Sequence, residues 1–185
     1  MMDETEESDL DLKHAKILLL GLDNAGKTSI LLSLRKNTNL LSYIALKPTA
    51  GLNIVNLEEG DKIYNIWDFG GQERYRKEYL KNLKKYFDQV DKIIFVIDVQ
   101  DIDRYELALE YIKDIVEYIK NKGIKVDFSV FFHKFDPNLE KLDQFTEKVI
   151  STKLISKIKN IMPSKFNYKI FKTTIFTVFQ KQLIL

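Results

Sequence analysis

The chain has 185 residues, 45% apolar side chains and a formal net charge of +2, enough for one globular domain with a full core. It contains no cysteine, which excludes disulfides, prenylation and palmitoylation, and no apolar run approaches the length of a membrane-spanning helix. The start Met1-Met2 lacks the glycine that N-myristoylation requires, and no signal peptide precedes the first predicted strand, so a cytoplasmic protein is expected.

Charge is unevenly spread. Residues 1–12 hold Asp3, Glu4, Glu6, Glu7, Asp9 and Asp11 with no Lys or Arg, which leaves the rest of the chain, with 29 basic residues, at +8. A disordered acidic tail over 1–12 is expected ahead of a single domain over 13–185. The tail offers almost no apolar face and does not read as a membrane-surface helix.

Lys16-Ile17-Leu18-Leu19-Leu20 is an apolar run suited to a buried parallel strand. Gly21-Leu22-Asp23-Asn24-Ala25-Gly26-Lys27-Thr28 follows it and fits the phosphate-binding pattern G-x-x-x-x-G-K-[ST]. Ile30, Leu31 and Leu34 then recur at helical spacing. Strand, glycine loop and helix N-terminus aim successive backbone N–H groups at one spot, which attracts phosphate. Asp23, Asn24, Ala25, Gly26, Lys27, Thr28 and Ser29 are the candidate nucleotide contacts. Lys27 would reach the β- and γ-phosphates, and the Thr28 hydroxyl would hold Mg²⁺. Asp23 places a carboxylate inside an anion site, which looks unfavourable.

Between Lys36 and Ala50 the periodicity fades, and a long functional loop is expected. Leu52 to Leu57 and Ile63 to Asp68 read as a hairpin turning at Glu59-Gly60-Asp61. The second strand runs into Trp67-Asp68-Phe69-Gly70-Gly71-Gln72. A carboxylate at such a strand end, close to a phosphate loop, makes Asp68 the candidate Mg²⁺ ligand. Leu80, Leu83 and Phe87 predict a helix over 75–87 with Lys77, Lys81, Lys84 and Lys85 on its wet side. Ile93 to Asp98 reads as a strand buried on both faces. Asp103 with Glu106 resembles a capping box opening a helix that Gly123 ends. Val126 to Phe132 is another buried strand, and His133-Lys134-Phe135-Asp136 follows it. A helix is predicted over 139–161, stopped by Pro163, then a strand at 168–171 and a short final helix. Alternating strands and helices with one early hairpin define an α/β fold, a mostly parallel six-stranded sheet with helices on both faces, and ligands gather beyond the carboxyl ends of its strands.

From Lys16 to about Gln180 the chain resembles a Ras-superfamily small GTPase, the G domain of the P-loop NTPases, with five motifs in order. GLDNAGKT at 21–28 is similar to the Arf-like loop. Pro48-Thr49-Ala50-Gly51 resembles the Arf-type first switch, which implies that Thr49 reaches Mg²⁺ and the γ-phosphate. Residues 67–72 resemble the W-D-x-G-G-Q second switch, which implies a γ-phosphate contact from the Gly71 N–H and water positioning by Gln72. His133-Lys134-Phe135-Asp136 matches the H-K-x-D form of the Rag/Gtr branch, where most small GTPases have N-K-x-D. Thr173-Thr174-Ile175 sits where the last guanine-contacting loop belongs, so His133, Lys134, Asp136, Thr174 and Ile175 are the implied base contacts.

The resemblance implies GTP and GDP as ligands with Mg²⁺, slow hydrolysis by Gln72, Lys27 and Thr49, and two switch loops ordered by the γ-phosphate. It also implies an activating protein, an exchange factor and effectors, a dimeric or roadblock-type partner on the Rag side, and peripheral membrane contact, with no nucleic acid among the partners. A hydrolysis-deficient GDP/GTP-binding interaction module is the alternative. No arginine stands three positions before the switch threonine, where G-protein α subunits carry one; that position is Leu46. Arg74 and Arg76 would reach the site only by rearrangement.

Overall fold

The computed structural model describes residues 13–36, 38–164 and 166–176; the acidic leader 1–12 and residues 177–185, where most of the last predicted helix falls, lie outside them. Six strands form one sheet: β1 (Lys13–Gly21), β2 (Leu52–Glu59), β3 (Lys62–Phe69), β4 (Lys92–Asp98), β5 (Asp127–His133) and β6 (Tyr168–Lys172). Their order is β2-β3-β1-β4-β5-β6. Only β2 runs antiparallel, paired with β3 through the predicted hairpin, and every other neighbour is parallel. The carboxyl ends of β1, β3, β4, β5 and β6 therefore share one edge, and Gly21, Phe69, Asp98, His133 and Lys172 stand along it.

Strand alternation splits the core in two. On one face Leu18, Leu20, Ile93, Phe95, Phe128 and Val130 pack with Ile112, Ile115 and Ile119 of the long helix and with Leu154 and Ile158. On the other, Ile17, Leu19, Ile66 and Val96 meet Ala25 and Leu31. Truncating a fully buried residue such as Phe95 or Ile112 to alanine costs about 2–5 kcal/mol, so this sheet is a rigid platform for the loops on its edge.

The helices are α1 (Lys27–Ser33), α2 (Leu40–Ile44), α3 (Glu73–Lys81), α4 (Leu83–Tyr86), α5 (Tyr105–Lys122), α6 (Glu147–Ile150) and α7 (Ser156–Ile161), the last two joined by a π turn at Ser151–Ile155. Four departures from the sequence reading have local causes. Within the loop expected over 36–50, Leu40–Ile44 forms a short helix whose N-terminus the Asn39 side chain caps by accepting from the Ser42 N–H at 3.0 Å. The helix expected over 75–87 breaks at Asn82, whose side-chain amide donates to the Glu78 carbonyl at 3.1 Å; the break turns Tyr86 and Phe87 inward onto Phe69 and Tyr118. The helix expected from Leu139 starts only at Glu147. Left-handed Asn138 and extended Leu142 and Thr146 divide 139–145 into two 3₁₀ turns that bury Leu139 and Phe145, so apolar spacing imitates a helix there. The Asp103–Glu106 capping box does not form, because Ile102–Arg104 is a 3₁₀ turn and α5 begins at Tyr105. Gly123, with φ 63°, ends α5 as expected.

Candidate functional site

The phosphate loop leaves β1 at Gly21 and enters α1 at Lys27. At the junction Gly26 has φ 88°, a left-handed conformation that a side chain would strain. A Cβ there would also lie 2.4 Å from Cδ2 of His133, so the imidazole at the end of β5 packs directly on the loop. Lys27 is buried, and its ammonium donates to the carbonyls of Gly21 at 3.1 Å and Leu22 at 2.7 Å. Burial pushes its pKa down to about 8, against the pull of Asp68 and Asp23.

Three side chains from three segments converge beside it. The Thr28 hydroxyl donates to Asp68 Oδ2 at 2.7 Å and the Thr49 hydroxyl donates to the same oxygen at 3.1 Å, with the two hydroxyl oxygens 2.7 Å apart. Asp68 is fully buried, and its second oxygen, Oδ1, has no hydrogen-bond partner. Burial holds this carboxyl above the ordinary carboxylate range, although both hydroxyls and Lys27 oppose it. A buried carboxylate with an orphan oxygen, flanked by two hydroxyls, is a set of hard oxygen donors, and it fits Mg²⁺. Among the described residues no cluster of three or more His, Cys, Asp or Glu offers a competing cation site.

Around these groups lies an open cleft of about 370 Å³, lined by Asp23, Asn24, Gly26, Lys27, Thr28, Ser29, residues 46–49, Gly71 and Gln72. Ala25 is buried beneath the loop instead. The Gly70 N–H donates to the Gly51 carbonyl at 2.8 Å, which ties together the two segments expected as switches. A Cβ on Gly71 would lie 2.1 Å from the Asp23 nitrogen and from the Leu22 carbonyl carbon, so the second switch backbone rests on the phosphate loop and only glycine fits. Gln72 is half-buried at the start of α3 and reaches the same cleft.

The residues expected to face a base form a second cluster, outside that cleft. Asp136 accepts from the Thr174 hydroxyl at 2.6 Å through Oδ1 and from the Gln100 amide at 2.8 Å through Oδ2. The Lys134 ammonium pairs with Asp98 at 2.6 Å. His133 Nδ1 lies 2.9 Å from the Thr173 hydroxyl, and burial, then Lys134, lowers its pKa. Ile175 is half-buried beyond Thr174. The packing of His133 on Gly26 joins the two clusters.

Two residues escaped the sequence reading. Gln100 lies just past β4 and carries no signal of its own. Arg104 stands at the start of α5, where a cation opposes the helix dipole, and that broken rule was the available cue. Its Nη1 reaches Asp23 Oδ1 at 3.0 Å and its Nη2 donates to the Asp23 carbonyl at 3.2 Å, so the Asp23 carboxylate does not stand bare in the anion site as the sequence suggested. Arg76 is buried, donates to the Gly71 carbonyl at 2.9 Å and lies over the Tyr111 ring; Arg74 is exposed against Tyr75.

A mostly parallel six-stranded sheet whose carboxyl edge carries a G-x-x-x-x-G-K-T loop, two touching glycine switches and a lysine–aspartate loop defines the G domain of a small GTPase. The chain belongs to the ADP-ribosylation factor (Arf) family of the Ras superfamily, whose sequence model matches residues 2–180. Over 124 residues, 67% of this chain, it is 40% identical to ADP-ribosylation factor-like protein 2 of Dictyostelium discoideum and 36% identical to ADP-ribosylation factor 3 of Arabidopsis thaliana. These matches span 62% and 63% of the two relatives, less than two thirds of their length. The fold is shared with the Arl6 (BBS3) small GTPase of Trypanosoma brucei, solved with the nucleotide analogue GppNp: TM-score 0.63 at 21% identity, over 88% of this chain and 87% of that one. None of these relatives is a Rag or Gtr protein. No helix among the described residues is long and apolar enough to cross a membrane.

Proposed function

We propose that this chain is a guanine-nucleotide switch that binds GTP and GDP with Mg²⁺ and hydrolyses GTP slowly. The observation that carries the reading is the meeting of Thr28, Thr49 and Asp68, one residue each from the phosphate loop, the first switch and the strand before the second. In this reading Thr28, Thr49 and Asp68 would hold Mg²⁺, whose positive charge would offset the negative charge of the phosphates. Lys27 exchanges its two carbonyl bonds for phosphate oxygens. The Gly71 N–H, in a backbone pressed on the phosphate loop, meets the γ-phosphate, and Gln72 orients the attacking water. Asp136 accepts from guanine N1–H and N2–H₂, with Lys134, His133, Thr174 and Ile175 framing the base. Both switches depend on the γ-phosphate, so partners (an activating protein, an exchange factor, effectors) distinguish the two states, in the cytoplasm or at a membrane surface.

Hydrolysis is slow in this reading because, among the described residues, no arginine lines the cleft. Arg76 is committed to Gly71 and Tyr111, Arg74 is turned onto Tyr75, and Leu46 lines the wall where an arginine in cis would stand. Single-turnover hydrolysis on the isolated chain is expected on the order of 10⁻⁴ to 10⁻³ s⁻¹, with Gln72→Leu lower still. A rate on the order of 1 s⁻¹ would contradict the missing arginine. Gln72→Leu equal to wild type would favour the second reading, a hydrolysis-deficient interaction module.

A further inference from the structure

Asp23 is the one carboxylate in the phosphate loop, and its neighbour is an arginine 81 residues away. Arg104 takes hold of Asp23 twice, at the carboxylate and at its own main-chain carbonyl, while Nε and Nη2 engage Asp101. A planar guanidinium can bridge two carboxylates and a carbonyl in this way; a lysine cannot. Asp23 lines the phosphate cleft and Arg104 does not, so the carboxylate oxygen it holds is turned toward the turn before α5.

The side chains of Arg104 and Asp23 are 32% and 46% exposed, and a pair so open to water contributes little to folding. Its leverage is on a highly charged ligand. Asp23, Asp101 and Arg104 together carry −1; without the guanidinium they carry −2, next to a triphosphate. The Asp23 nitrogen is also where the backbone of Gly71 presses on the loop, on the side of the cleft formed by the switches.

We propose that Arg104 is a positioning residue of the phosphate loop that restrains and neutralises Asp23 and thereby sets the preference for nucleoside triphosphate over diphosphate. The inference rests on the guanine-nucleotide reading above. It predicts a charge effect on the third phosphate that a purely structural contact would not produce.

The test measures dissociation constants of fluorescent GDP and a fluorescent non-hydrolysable GTP analogue on the full chain with Mg²⁺, for wild type, Arg104→Ala and Arg104→Ala/Asp23→Asn. One uncompensated charge near the γ-phosphate at a solvated site is expected to shift the triphosphate-to-diphosphate affinity ratio against GTP by roughly five- to tenfold. The double variant, whose local charge is again −1, is expected to return within about twofold of wild type, and added salt should shrink the difference. Arg104→Lys keeps the charge and loses the fork, and is expected to fall between the two; it also keeps the test open should Arg104→Ala not fold. An unchanged ratio in Arg104→Ala or Arg104→Lys, or a double variant no better than Arg104→Ala, overturns the inference alone. A wild type that binds neither nucleotide overturns the inference together with the reading it rests on.

Discussion

The two halves of the site satisfy their polar groups in opposite ways. On the phosphate side, the carboxylate at the centre keeps a buried oxygen unpaired, and the ammonium of Lys27 rests on main-chain carbonyls. On the base side both oxygens of Asp136, the Lys134 ammonium and His133 Nδ1 all have side-chain partners. A buried unpaired acceptor is costly and invites a cation, so the first half is built to be completed by a ligand. The second is complete in itself and must exchange bonds to admit one. Binding strength should therefore come from the phosphate side, and the choice of base from whether a ligand can replace what Asp136 already has.

The largest expected effect tests that division on the base side. Guanine offers Asp136 two N–H donors, and adenine does not. A GTP preference over ATP of at least roughly 10³-fold is expected, because adenine cannot replace the bonds that Asp136 gives up to admit a base. Asp136→Asn should remove most of that guanine affinity and gain a xanthine nucleotide, whose O2 can accept from the new amide. Competition titrations with GTP, XTP and ATP read this directly. Unaltered guanine affinity in Asp136→Asn would remove Asp136 from base recognition.

A smaller effect tests the phosphate side. Asp68→Asn keeps the shape of the side chain but halves its acceptor capacity and removes its charge. It should lower Mg²⁺-dependent GTP affinity by about 10–100-fold while leaving the affinity measured in excess chelator nearly unchanged. Equal losses with and without Mg²⁺ would mean that Asp68 serves the fold and not the cation.

The two halves also differ in how much of them the sequence disclosed. The phosphate loop is one run of consecutive residues, and Asp68 with the paired glycines is another, so local spacing carries each of them. Strand positions were equally legible, since continuous apolar runs such as Ile93 to Ile97 have few alternatives. Contacts between segments far apart in sequence were not. Gln100 on Asp136 and Arg104 on Asp23 depend on β4 lying between β1 and β5, and no periodicity encodes that neighbourhood. The helix misread at 139–146 failed for a related reason: apolar Leu139, Leu142 and Phe145 recur every three residues as on a helix, although in the two 3₁₀ turns only Leu139 and Phe145 turn inward and Leu142 is exposed.

The smallest effect sits at the seam between the halves. His133 packs on Gly26 of the phosphate loop and meets Thr173 of the last loop through Nδ1. Burial, followed by the positive charge of Lys134, holds its pKa below the usual 6.5, while Asp98 and Asp136 pull the other way. The sign follows from proton counting. Between the folded pKa and 6.5 the unfolded chain binds more protons at this position than the folded one, so stability rises with pH through that window. Above 6.5 the residue contributes its full share; as pH falls through 6.5 and toward the folded value, that share is lost. His133→Asn, which restores the residue most small GTPases carry here, should flatten the dependence between pH 7.5 and 5.5. For a domain of this size each kcal/mol of linkage moves the melting temperature by about 2–4 °C, which thermal unfolding in matched buffers can read. The variant should gain on wild type as the pH drops, and by more without nucleotide, since a bound ligand holds both loops from the other side. Parallel melting curves for the two proteins across that range would show that the imidazole titrates alike in the folded and unfolded chain, and the link between base loop and phosphate loop would then be one of packing alone.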